Sequence, residues 1–195
     1  MKKFLKVLYP TLVLAAICLI VSLALSVTNA VTKDKIAEID AENANKAMNR
    51  VLAAETYTEK KLEKDGKEIT YYEAVNGGET SGYIFITSAN GYGGEVKVMT
   101  AVLPDKTVKC VEILDVSSET PGLGQNTAKE EFYSRYAGLS DTITVVKSGA
   151  DAKNGEIDAW TGATITSKAV TKAVNEALDF ADEIIAGEAG ETSEE

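Results

Sequence analysis

Two short segments hold the residues whose types and spacing could do chemistry. The first is Asp158-Ala159-Trp160-Thr161-Gly162-Ala163-Thr164-Ile165-Thr166-Ser167, a Gly-Ala turn flanked by hydroxyls ahead of a helical pattern. Backbone N–H groups at a helix start lack intrahelical acceptors, and the dipole there favours an anion, so a phosphate would sit well at this point. The plainer reading of the same residues is a helix cap supplied by Thr164 or Thr166. The second segment is Glu119-Thr120-Pro121-Gly122-Leu123-Gly124. Pro-Gly fixes a tight turn, and Gly124 permits close backbone approach to something flat or bulky; an ordinary turn before a short helix is the alternative.

Composition narrows the chemistry further. The 195 residues include no histidine, which removes the usual general base, the commonest metal ligand and any Ser-His or Cys-His nucleophile pair. Two cysteines are too few for an iron–sulfur cluster or a Cys-rich zinc site, and no metal centre is expected. A formal net charge of -10 gives no footprint for nucleic acid. Whatever chemistry occurs must run through hydroxyls, carboxylates or a bound organic cofactor.

The elements that must position these segments begin with the N-terminus. Residues 1–32 hold three of the 20 basic residues (Lys2, Lys3 and Lys6) and none of the 30 acidic ones. Val7 to Thr32 is a run of 26 uncharged residues, long enough to span a bilayer of about 20 helical residues. Pro10 sits near its start, where a helix tolerates proline best. Lysines ahead of the run predict a cytoplasmic N-terminus and place the acidic remainder on the other side of the plasma membrane. A cut after Ala30, in Thr28-Asn29-Ala30, is the competing reading; the apolar run exceeds a signal core, so a retained anchor is expected. Cys18 at membrane depth and Cys110 in the soluble part are not expected to pair.

Residues 33–66 read as a helical, solvated connector with Ile36, Ile39, Met48, Val51 and Leu52 as its apolar positions. From Glu68 onward the period changes to short β-branched or aromatic runs: Tyr71-Tyr72, Tyr83–Thr87, Glu95–Val102, Thr107–Val116 and Thr142–Lys147. Glu95–Val102 and Thr107–Val116 flank Leu103-Pro104-Asp105-Lys106 as a hairpin. Helices are predicted at Asn126–Tyr136 and at Ile165–Ala186, the latter ending at Gly187; residues 187–195 read as an acidic disordered tail. The expected fold is α+β: one N-terminal transmembrane helix, then residues 67–186 as a mostly antiparallel sheet packed with helices.

One such helix, then E-T-P-G-L-G, then D-x-x-T-G-A-T-x-T, resembles the FMN-binding domain shared by two respiratory families, RnfG of the Rnf electron-transport complex and NqrC of the sodium-pumping NADH:quinone reductase. The resemblance spans roughly Gly91 to Ala186, with Gly91-Tyr92-Gly93-Gly94 as a weaker opening motif, and chain length favours the Rnf family. It implies FMN joined through a phosphoester to Thr164. A separate flavin transferase would make that bond from FAD, recognising Asp158, Gly162, Ala163 and Thr164. The same resemblance implies cofactor contacts from Glu119, Thr120, Gly122, Leu123, Thr161, Gly162, Ala163, Ile165 and Thr166, with Ser167 adding a hydrogen bond, and no catalytic residue in the chain itself. Trp160, Tyr83 and Tyr92 stand either beside the flavin or in packing. The implied role is electron relay in a membrane complex that couples ferredoxin oxidation and NAD reduction to sodium or proton movement, with the other Rnf subunits and the bilayer as partners. A quinone reductase or other flavin reductase is the alternative machine. A colourless membrane-tethered binding or sensory module is the alternative class.

Overall fold

The computed structural model describes residues 2–64, 67–150, 152–153 and 155–191. The chain divides into two compact units, one up to Asn43 and one from Ala44. The first is helical: α1 runs Lys2–Val51 and includes Pro10 within it. Its stretch Leu8–Ile36 is long and apolar enough to cross a membrane by length and composition, and none of it is buried by the protein. Within that stretch the Thr28 and Thr32 hydroxyls each donate back to a carbonyl one turn earlier, Ala24 and Thr28, both at 2.9 Å. Such back-bonding satisfies hydroxyls where lipid offers no partner.

The second unit is built on a five-stranded antiparallel meander, β1 (Thr56–Lys64), β2 (Lys67–Asn76), β3 (Glu79–Asn90), β4 (Glu95–Val102) and β5 (Val108–Asp115), in that spatial order. The β4–β5 hairpin closes as expected, with the Asp105 carboxylate accepting from the Thr107 N–H at 3.0 Å and its hydroxyl at 2.6 Å. Those two bonds hold the Asp105 carboxyl below its usual range. A final helix, α3 (Thr164–Glu191), covers one face of the sheet. Phe85, Val98, Val102 and Val111 pack there among Val170, Val174, Ala177 and Ala181.

The opposite face is covered by the last two turns of α1. Ala47, Met48, Val51 and Leu52 are buried against Ala74, Ile84, Met99 and Ala101. Alternation along β4 follows: Val98 and Val102 point to α3, Met99 and Ala101 to α1, so the strand reads as a continuous apolar run. Each such buried aliphatic side chain contributes about 1.5–3 kcal/mol. Of the helical connector expected over residues 33–66, the part to Val51 is helical, but its last two turns are buried against the sheet and Thr56–Lys64 is a strand. The helix stops at Val51, where the Tyr57 hydroxyl donates to the Leu52 carbonyl at 2.8 Å and accepts from the Ala54 N–H at 3.1 Å. Thr56–Lys64 is the edge strand β1, whose Glu and Lys residues are the charges that blunt an exposed sheet edge.

Three further differences concern short elements. Asn126–Tyr136 is not one helix but a 3-10 turn (Gly124–Ala128), a single α-turn α2 (Glu130–Tyr133) and a second 3-10 turn (Ser134–Tyr136). Lys129, extended at φ -80° and ψ 141°, makes the break. The expected run Thr142–Lys147 holds the three-residue strand β6 (Thr144–Val146), while its parallel partner β7 (Glu156–Asp158) is missed by the sequence pattern. Lastly, α3 continues through Gly187 to Glu191, so the expected tail is helical over 187–191; residues 192–195 lie outside the described residues.

Candidate functional site

The β3–β4 loop (91–94), the segment after β5 (116–124) and the turn before α3 (160–163) converge at one end of the sheet, and Glu119 ties them together. Its side chain is 2% exposed. Oε1 accepts the Gly93 N–H at 3.0 Å, and Oε2 accepts the Thr166 hydroxyl at 2.7 Å. Two glycines are required by this closeness. A Cβ at Gly93 would stand 2.0 Å from the Ser118 carbonyl oxygen, and one at Gly124 would stand 2.4 Å from Glu119 Oε2. The close approach read at Gly124 is therefore an approach to Glu119.

The turn before α3 is held from inside. Ser167, fully buried, donates its hydroxyl to the Ala163 carbonyl at 2.9 Å and accepts the Trp160 N–H at 3.0 Å. Ala163 N–H bonds the Trp160 carbonyl at 2.9 Å. Helix α3 opens at Thr164, so Thr164 is its first helical residue rather than the residue before it, and it is exposed. The hydroxyls of Thr166 and Ser167, expected to reach a phosphate, are spent on Glu119 and on the turn.

Thr164 stands at the lip of a cleft of about 520 Å³, within the size range of small-molecule sites. Three large apolar side chains around it are exposed: Tyr92 (73%), Leu123 (45%) and Ile165 (54%). Among the described residues they are the exposed large hydrophobics of the second unit. Eight of the expected contact residues line the cleft: Glu119, Thr120, Leu123, Gly162, Ala163, Thr164, Ile165 and Thr166. Gly122 and Thr161 do not; the Thr161 hydroxyl instead bonds that of Ser148 at 2.7 Å. Tyr92, read as standing beside the flavin or in packing, and Gly124, read as permitting close approach, also line the cleft. An aromatic set in a Gly-rich loop between two strands is the signal that marks Tyr92. No lining residue is a cation, which leaves the first turn of α3 as the source of positive potential.

Asp158 lies outside the cleft. Its Oδ1 accepts the Gly149 N–H at 2.9 Å, and its carbonyl accepts from Arg135 Nη1 at 2.7 Å. Trp160 packs edge-on against Phe132, ring centroids 6.5 Å apart, and Lys129 Nζ stands 5.4 Å over its ring. Tyr83 is a core residue at 2% exposure. A larger groove of about 680 Å³ runs beside Lys64, Tyr72 and Phe180, and it holds no motif residue.

Residues 91–179 match the FMN-binding domain family. Component G of the proton-translocating ferredoxin:NAD(+) oxidoreductase complex of Clostridium ljungdahlii is 42% identical over 120 residues, which cover 61% of this chain and 63% of that protein, just under two thirds of its length. Component G of the Na(+)-translocating complex of Acetobacterium woodii is 35% identical over 180 residues, 84% of this chain and 86% of that one. Among solved structures, component C of the Na(+)-translocating NADH-quinone reductase of Parabacteroides distasonis superposes with a TM-score of 0.50 at 27% identity, covering 57% of this chain and 59% of that chain. NqrC of Shewanella oneidensis gives 0.51 at 24%, covering 60% and 62%, and shares the fold. With the Acetobacterium match running over most of both proteins, this chain belongs to the RnfG family of ferredoxin:NAD(+) oxidoreductase components.

Proposed function

We propose that this chain carries FMN joined to Thr164 by a phosphoester and relays electrons as the flavin subunit of an Rnf-type, ion-translocating ferredoxin:NAD(+) oxidoreductase. The observation that carries the proposal is the placement of Thr164. An exposed threonine opens α3 beside a cleft whose side chains Tyr92, Leu123 and Ile165 are exposed, and clustered exposed apolar surface marks a place that a ligand or partner covers. The cleft fits the group: its volume suits a tricyclic ring, and the helix start favours a phosphate. FMN supplies one- and two-electron redox chemistry, which this histidine-free chain lacks in its own side chains.

The chain's residues bind and orient. Thr164 anchors the phosphate where the dipole of α3 favours negative charge; Leu123, seated over Gly162, and Tyr92 supply the apolar walls; Glu119 and Ser167 hold the frame. A threonine hydroxyl is a weak nucleophile without a base, and no histidine is present, so attachment belongs to a separate flavin transferase that reads Asp158, Gly162, Ala163 and Thr164. Thr164 would be the residue that holds the FMN phosphate, its oxygen replacing AMP on the FMN half of FAD. Covalent attachment keeps the cofactor on the domain outside the cytoplasm. The lysines at 2, 3 and 6 orient α1 with its N-terminus inside, and the remaining partners are the other subunits of the complex and the bilayer. Identity to the two ferredoxin:NAD(+) complex components supports this machine over a quinone reductase.

Flavin emission that stays with the chain through a denaturing gel, and is lost in Thr164→Val, supports the reading. A native chain without bound flavin overturns it.

A further inference from the structure

Glu119 lines the cleft, yet its carboxylate is turned inward to the protein. Each oxygen takes a donor from a different segment: Oε1 from the peptide that joins Tyr92 to Gly93, Oε2 from Thr166 in the first turn of α3. The neighbouring backbone has made room for it, since a Cβ at Gly91 would lie 2.2 Å from Oε1 and one at Gly124 2.4 Å from Oε2. Tyr92, by contrast, is 73% exposed and has little packing of its own. What places its ring is the loop backbone, closed by Gly91 N–H to the Gly94 carbonyl at 2.7 Å and pinned to Glu119 one bond further on.

We infer that Glu119 is a positioning residue that clamps the Tyr92 loop to the first turn of α3, and so sets the stance of Tyr92 relative to Thr164. The inference rests on the reading of the cleft as the flavin site, and it reassigns Glu119 from contacting the flavin to holding the frame around it. Charge is secondary in this role; a hydrogen-bonding atom at each of two positions, at the right separation, is what it needs. Glu119→Gln retains them, because the amide oxygen accepts from Gly93 and the Thr166 hydroxyl rotates to accept from the amide nitrogen. Glu119→Met matches the side chain in shape and takes the acceptor from the buried Thr166 hydroxyl and from the half-buried Gly93 N–H.

The test uses the full chain in detergent. On a Thr164→Val background, which carries no attached flavin, a thermal-unfolding cycle of Glu119→Met and Thr166→Val reads the clamp alone. Glu119→Met lowers Tm by roughly 4–8 °C, and the double variant falls little further. In the flavin-loaded chain, Glu119→Met and Thr166→Val raise flavin emission toward that of Tyr92→Leu, while Glu119→Gln and Thr166→Ser keep wild-type emission. The clamp is overturned if the two losses in Tm simply add, or if Glu119→Met leaves emission unchanged. It is also overturned if Glu119→Gln behaves like Glu119→Met, since the carboxylate would then act on the flavin itself. A wild-type chain without flavin removes the Thr164 reading, and the unfolding cycle then decides the clamp by itself.

Discussion

Gly124→Ala is the sharpest steric probe of the site. The backbone at Gly124 is not in the left-handed region, so the added methyl costs nothing in conformation and everything in space. It would stand 2.4 Å from Glu119 Oε2, 2.8 Å from Thr166 Oγ1 and 2.9 Å from Glu119 Cβ. Overpacking of this kind costs about 1–3 kcal/mol. Pushing the carboxylate off Thr166 weakens a buried bond to a charged group worth about 1.5–3 kcal/mol. With partial relaxation the total is about 2–4 kcal/mol, or a fall in Tm of roughly 5–15 °C for a chain of this size. Gly122→Ala, two residues away, is the control: its φ is +78° and nothing lies within 4 Å of the added methyl, so it meets strain alone, about 1–2 kcal/mol. Thermal melts of the purified chain, followed by circular dichroism, separate the two. A Gly124→Ala chain that melts with or above Gly122→Ala refutes the packing argument.

Other perturbations give equally direct outcomes. Met48→Ala, which opens a cavity where the end of α1 meets the sheet, should cost about 2–5 kcal/mol in denaturant unfolding, whereas a solvated connector would lose almost nothing. Glu73 is buried, pairs with Lys60 at 2.5 Å and accepts from the Thr80 hydroxyl; these partners, Lys60 foremost, hold its carboxyl below the usual glutamate range. Its contribution, about 1 kcal/mol, is therefore present above about pH 4.3 and lost as pH falls through the lower folded value, so wild type and Glu73→Gln should differ at pH 7 and converge once the pH is below that folded value. Asp158→Asn keeps an acceptor for the Gly149 N–H, so unfolding should change little while flavin loading falls, as read by flavin absorbance per chain.

Much of this was legible in the residues. The β4–β5 hairpin followed from two β-branched runs around a Pro-Asp turn, and α3 from the 3–4 spacing of Val170, Val174, Ala177 and Ala181. The helix start at Thr164 and the Thr120–Gly124 turn were legible because a Gly-Ala turn precedes an apolar helical period and Pro-Gly fixes a bend. Three things were hidden, each because tertiary contact decides it. Thr56–Lys64 carries the charges of a solvated helix and becomes a strand by pairing with β2 along its whole length. Met48 and Val51 look like sparse connector positions until a sheet face meets them. Glu119 shows no structural role in the sequence, because its two donors come from residues 26 before and 47 after it.

The central claim is the bond to Thr164, and intact mass is its most direct measure. The chain purified from its native membrane should weigh one FMN less one water more than its sequence, and a Thr164→Val chain from the same membrane should weigh what its sequence gives. A native chain at the unmodified mass, or an adduct that survives in Thr164→Val, would contradict the account.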